Sequence, residues 1–198
     1  MWVPAARSEA FEYGPNWRTL VLQDRGEWDP ANVRLFPRTH RLFADLGAPT
    51  LEVFFARQEG NTGIKSHTDG ANFIQTSHLG LDVPEGECWI KAGEHTREWR
   101  NGRALVCDTS FMHETHNASD RDRVVLIMRH WHPEMAPLER TATAFLFRAL
   151  DDPTPASVKA AQRAADKALR GEVAAGGKRK GKGKAGGAKG GGGGFGRS

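Results

Sequence analysis

The sequence predicts a mainly β fold of the sandwich or jelly-roll kind, followed by helices and a disordered tail. Short runs rich in β-formers recur at roughly eight- to twelve-residue intervals between residues 73 and 131, with turn dipeptides between them. No helical pattern alternates with those strands, which argues against a βαβ arrangement. Beyond His132-Pro133 the apolar spacing becomes helical, and from Ala174 the chain holds little but Gly, Lys and Ala.

Taken in order, Trp17 to Leu22 alternates and reads as a strand, and Val33 to Gly47 as a short helix whose pattern Pro37 interrupts. Leu51 to Ala56 is the next strand. Glu59-Gly60-Asn61-Thr62-Gly63 is turn chemistry leading into His67-Thr68-Asp69. Phe73 to Leu81 is a long strand ended by Asp82-Val83-Pro84-Glu85-Gly86. Cys88 to Lys91, His95 to Trp99, Arg103 to Cys107, His113 to Asn117 and Val124 to Trp131 follow. Ala92-Gly93, Asn101-Gly102 and Ser119-Asp120 separate them, and Asn-Gly between strands predicts a hairpin. Leu138 to Leu150 and the Ala-rich Pro155 to Leu169 read as helices. The expected organisation is a β domain over 1–135, a helical extension over 136–170 and a disordered basic tail over 171–198.

Charge is unevenly placed. The 198 residues carry a formal +4, but residues 171–198 alone hold seven Lys/Arg against Glu172, leaving a slight negative excess on the rest. The basic balance therefore belongs to the tail and does not describe the partners of the domain. A Gly/Lys tail whose one aromatic is Phe195 lacks a stacking platform for single strands, so no specific nucleic-acid partner is expected. Cys88 and Cys107 are too few for a disulfide framework and sit in apolar contexts, where free buried thiols are expected. No apolar run has the ~20 residues of a membrane-spanning helix, and no secretory signal is visible. A soluble intracellular placement is the default expectation, an anchor remaining open if the N-terminus is truncated.

The chemistry concentrates in a few residues. His67 and Asp69, two apart on an extended segment, project to one side. His113, 46 residues on and delivered from another strand, would complete a two-histidine, one-carboxylate set, which suits non-haem Fe(II) and leaves positions open for chemistry. Arg123, ten residues later at the head of an apolar strand, can clamp the distal carboxylate of a dicarboxylic cosubstrate. Together they are the pattern of a 2-oxoglutarate-dependent oxygenase, with Fe(II), 2-oxoglutarate and O2 as its cofactors. His78 shares a face with Ile74 and Thr76 and is either a core histidine or a cosubstrate contact. Asp108 either orients a ligand histidine or is a turn carboxylate. His40, His95 and His116 read as surface or loop histidines, His130 and His132 as structural, and Trp89 and Trp99 as core.

His67-Thr68-Asp69, Asn72, His78-Leu79-Gly80-Leu81, Asp108-Thr109-Ser110-Phe111 with His113-Glu114, Arg123 and Trp131-His132-Pro133 resemble the aspartyl/asparaginyl β-hydroxylase domain, from about Phe11 to Met135. The resemblance implies a double-stranded β-helix of the jelly-roll, cupin-like kind that hydroxylates an unactivated C–H. By position, His67 and His113 match the family's iron-binding histidines, Arg123 its cosubstrate-binding arginine, and His78 the histidine that also touches the cosubstrate. The animal enzymes are similar but carry glycine at Asp69, arginines on the strand that Ile74 and Thr76 occupy, and serine at Ala56. An Asp/Asn side chain of a protein is the substrate the resemblance favours. A small molecule, a lipid acyl chain, or a catalytically silent metal-binding module are the alternatives.

Overall fold

The computed structural model describes residues 3–4 and 16–179. Eleven strands and four helices make up these residues. The strands are β1 Val3–Pro4, β2 Trp17–Asp24, β3 Glu27–Trp28, β4 Thr50–Gln58, β5 Thr62–His67, β6 Ile74–Asp82, β7 Cys88–Ala92, β8 His95–Glu98, β9 Ala104–Cys107, β10 His113–Asn117 and β11 Arg123–Trp131. The helices are α1 Pro30–Leu35, α2 Pro37–Leu46, α3 Pro137–Asp151 and α4 Pro155–Arg179.

Two antiparallel sheets form a double-stranded β-helix. The larger runs β1-β2-β4-β11-β6-β9, with β3 paired to β2, and the smaller runs β5-β10-β7-β8. From β4 onward the chain alternates between the sheets except at the β7–β8 pair, so neighbours in sequence mostly face rather than pair, as in a jelly roll. Period-two alternation gives each strand an inner and an outer row. The inner rows meet around Trp17, Ala56, Ile64, Val83, Cys88, Ile90, Trp99, Val125 and Ile127. The outer row of the larger sheet (Leu20, Leu22, Val53, Leu126) packs with Phe36 and Phe43 of the α1–α2 segment. Fully burying a Val, Leu, Ile or Phe side chain in these rows contributes roughly 1.5–3 kcal/mol.

Three expectations need correction. The single helix over 33–47 is two helices. Asp29 caps α1, its carboxylate accepting from the Ala31 and Asn32 amides at 2.8 and 2.7 Å, and the helix ends at Phe36. Pro37 then starts α2, where its missing N–H costs nothing, and Gly47 ends α2 in the left-handed region at φ 58°. Secondly, Asn101-Gly102 does not join a hairpin, because β8 and β9 lie in different sheets. The Asn101 side chain instead clamps the Val83 backbone, accepting from its N–H and donating to its carbonyl, both at 2.9 Å. The corner thus carries the chain across the barrel. Thirdly, Trp89 is only half-buried, packing against His116 with ring centroids 5.6 Å apart.

The chain divides into two compact units, Met1–Met135 and Ala136–Ser198. In the second, Glu139 caps α3 by accepting from the Ala136 amide at 2.7 Å, and among the described residues Thr141 of α3 and Ala161 of α4 are buried. Helix α4 continues to Arg179, past the boundary at 170 expected between helix and tail. The disorder expected of 180–198 lies outside the described residues. No helix among the described residues is long and apolar enough to cross a membrane.

Candidate active site

Strand β5 ends at His67 and β10 begins at His113, and the two residues are direct cross-strand partners. Their rings lie 4.2 Å apart, centroid to centroid. Asp69 stands beyond the strand, in the turn that follows, so alternation along one strand is not what aligns it with His67. The loop is fastened instead to the turn before β10. The Asp69 amide donates to the Thr109 carbonyl at 2.9 Å, and the Thr68 hydroxyl donates to the Ser110 carbonyl at 2.8 Å. Gly70 turns the chain at φ 72°. Asp108 accepts from the Ser110 amide at 2.9 Å and is therefore a turn carboxylate of the same small structure.

His67, Asp69 and His113 each bring one ligand atom into a group whose members lie within 4.8 Å of one another, and the group can hold a metal ion. Tautomer fixes the direction of the lone pairs. His67 Nδ1 lies 2.7 Å from the Lys65 carbonyl and His113 Nδ1 lies 3.0 Å from that of Phe111. A carbonyl only accepts, so each Nδ1 carries the proton and each Nε2 keeps its lone pair, the arrangement a metal-ligating imidazole requires. Burial holds the His113 pKa below the ordinary histidine value, against an opposing effect from the Phe111 carbonyl. The neutral, ligating form is thereby favoured.

Arg129 joins this group, and nothing in the sequence reading singled it out. It occupies the inner row of β11, opposite Glu52 of β4. Its Nη1 lies 3.3 Å from Glu52 Oε2 and its Nη2 3.7 Å from Asp69 Oδ2. Asp69 Oδ1 lies 3.8 Å from His67 Nε2. One carboxylate oxygen thus faces the histidines while the other faces a cation. The signal was present, since residues 123, 125, 127 and 129 share one strand face.

Arg123 lies elsewhere in the barrel, with its side chain 1% exposed. Its guanidinium carbon sits 4.1 Å over the Trp99 ring. Its Nε and Nη1 have no hydrogen-bond partner among the described residues. A buried cation without acceptors is costly, and burial alone pulls its pKa down to about 10, so it still carries its charge at neutral pH. Trp99 also donates its indole N–H to His78 Nδ1 at 3.1 Å. An indole only donates, so His78 must accept there and carry its own proton on Nε2. Burial first, then Arg123 and His113, lower the His78 pKa to about 3 and keep the ring neutral. His78 is buried, as a core histidine would be, and keeps its one ring donor on Nε2.

The remaining histidines and both cysteines play other parts. His130 Nε2 lies 2.9 Å from Ser77 Oγ, a cross-strand link on the outer row. Cys88 and Cys107 are free thiols, and burial pushes the Cys107 thiol up to about 12, leaving it protonated.

With this geometry in view, the chain was compared with known proteins. The family model for aspartyl/asparaginyl beta-hydroxylase matches residues 3–133. Aspartate beta-hydroxylase domain-containing protein 2 of Homo sapiens is 34% identical over 139 residues, covering 66% of this chain and 37% of that protein. Aspartyl/asparaginyl beta-hydroxylase of Mus musculus is 28% identical over 129 residues, covering 63% of this chain and 17% of that protein. The chain thus spans well under half the length of these relatives. Among solved structures, the DMSP lyase DddQ of Ruegeria pomeroyi DSS-3 matches with a TM-score of 0.45 at 13% identity, covering 69% of this chain and 58% of that one.

Proposed function

The chain belongs to the aspartyl/asparaginyl beta-hydroxylase family, and on that premise we propose that it is an Fe(II)- and 2-oxoglutarate-dependent hydroxylase whose substrate is an Asp or Asn side chain of a protein. One observation carries the proposal. A charged, buried Arg123, with Nε and Nη1 lacking acceptors, shares the barrel interior with a two-histidine, one-carboxylate group. A dianion with a chelating end and a distal carboxylate answers both features at once.

The donor set fits the metal, since both imidazoles present Nε2 and Asp69 presents Oδ1. His67, Asp69 and His113 would hold Fe(II), and the bound iron with 2-oxoglutarate and O2 would supply the oxidising power for hydroxylation. The protein's own contribution is placement and exclusion of water. Arg123 pairs with the far carboxylate, and Trp99 fixes the guanidinium from its ring face. His78, neutral by burial, donates from Nε2 without adding a charge that would compete for the anion. Arg129 engages the outward oxygen of Asp69 and so orients the inward one.

The reading is tested by an O2-dependent succinate assay with Fe(II), 2-oxoglutarate and Asp- or Asn-containing peptides. Wild type should form succinate and a peptide heavier by one oxygen, and His113→Ala should form neither. Succinate formation that peptides leave unstimulated, while a free amino acid or an acyl lipid raises it, would overturn the protein-side-chain substrate. Full activity in His113→Ala would overturn the metal site.

A further inference from the structure

Beside Arg123 lies a second buried donor that no role so far described uses. Gln58 is the last residue of β4 and the direct cross-strand partner of Arg123 on β11, so the two side chains share the inner row. Its side chain is 1% exposed. Its Oε1 accepts from the Thr115 hydroxyl of the facing sheet at 3.4 Å, which places the amide between the sheets. Thr115 is two residues from His113, in the same buried row of β10. Gln58 Nε2 has no hydrogen-bond partner among the described residues.

A glutamine kept only to fill this space would be a poor choice. Its unmade amide hydrogen bonds cost on the order of 1–3 kcal/mol, whereas methionine fills nearly the same volume with no polar group to strand. The Gln58 Nε2 and the Arg123 Nε and Nη1 are all donors, all buried and all without acceptors. No carboxylate is paired with Arg123 among the described residues. An anion with more than one acceptor lone pair is what satisfies such a set.

We infer that Gln58 is a specificity-determining cosubstrate ligand, its amide Nε2 donating to the same distal carboxylate that Arg123 binds. This rests on the oxygenase reading and deepens it. Arg123 supplies charge, which any anion can use, while Gln58 supplies a neutral donor at a set place. The pair selects a 2-oxo dicarboxylate whose far carboxylate reaches both, against a 2-oxo monocarboxylate that reaches neither.

The test is anaerobic titration of the full chain loaded with Fe(II), using 2-oxoglutarate and, separately, 2-oxobutyrate, which keeps the chelating end and lacks the far carboxylate. Gln58→Met should weaken 2-oxoglutarate binding about tenfold or more, as expected for a lost hydrogen bond to a charged group. It should leave Fe(II) and 2-oxobutyrate binding unchanged. Gln58→Glu, which hands Arg123 an internal counter-ion, should abolish 2-oxoglutarate binding and serves if the methionine variant does not fold. Unchanged 2-oxoglutarate affinity in both variants overturns the inference, as does equal loss of both ligands, which would mark Gln58 as structural. Wild type that binds Fe(II) but not 2-oxoglutarate overturns the oxygenase reading, and this inference with it.

Discussion

His78 shows how much a single buried side chain can be made to do. An ordinary histidine titrates near 6.5, and burial first, with Arg123 and His113 adding to it, takes this one to about 3. Between those values the unfolded chain binds a proton that the folded chain refuses, so acidification favours unfolding. The slope from one such site is at most about 1.4 kcal/mol per pH unit. Metal-free His78→Gln should therefore lose less stability than wild type as pH falls from 6.5 towards 4, read by urea unfolding at each pH. Parallel curves would mean that His78 does take up a proton in the folded state. At this scale the sequence was informative where chemistry repeats a known spacing: His67, Asp69 and His113, read from spacing, do lie together. Gln58, Trp99 and Arg129 were not legible, because their meaning lies in neighbours across strands. An amide, an indole and a guanidinium in β-rich sequence look like ordinary strand residues until register is known.

At the scale of elements, eight of the eleven strands were legible within one or two residues, because alternation and turn chemistry are local, whereas β1, β3 and β5 were not, Thr62 and Gly63 of β5 reading as a turn. Sheet membership was not legible. The two sides of Asn101-Gly102 read as a hairpin, yet β8 pairs with β7 and β9 with β6. What decides it is a long-range clamp of Asn101 on Val83 and a close crossing at Gly80. The Gly80 amide donates to the Arg103 carbonyl at 3.1 Å, and its own carbonyl accepts from the Gly102 amide at 2.9 Å. A Cβ added there would collide with the Arg100 carbonyl, which is backbone and cannot swing aside. Gly80→Ala should destabilise the domain by about 1–3 kcal/mol, as overpacking does, measured as a lowered urea midpoint with the slope unchanged. A midpoint equal to that of wild type would mean that the corner is free to move. The same crossing carries Trp99 under Arg123, so the fold and the placing of that guanidinium depend on one turn.

Over the whole molecule, the double-stranded β-helix gives the site its two parts. The His67–His113 pair marks one end of β10. Asn117, at the other end, donates from Nδ2 to the Gln58 carbonyl at 3.4 Å, beside the start of β11 where Arg123 stands. His67 and His113 at one end and Arg123 at the other are thereby placed by strands, while Asp69 is placed by the loop that follows β5. The fold class was legible because evenly spaced strands without intervening helices leave few other architectures. The family was legible because His67-Thr68-Asp69, His113 and Arg123 occur in one order along the chain, which composition alone would not have suggested. Anaerobic titration with Fe(II) and then 2-oxoglutarate, followed by visible absorption, asks whether the His67–Asp69–His113 group and Arg123 bind one cosubstrate. The account predicts a metal-to-ligand charge-transfer band in wild type. In Arg123→Ala the 2-oxoglutarate affinity should be lower by about ten- to a hundredfold, corresponding to ~1.5–3 kcal/mol for a charge-assisted contact. Folded, iron-loaded protein that shows no band, or an Arg123→Ala affinity equal to that of wild type, would contradict it.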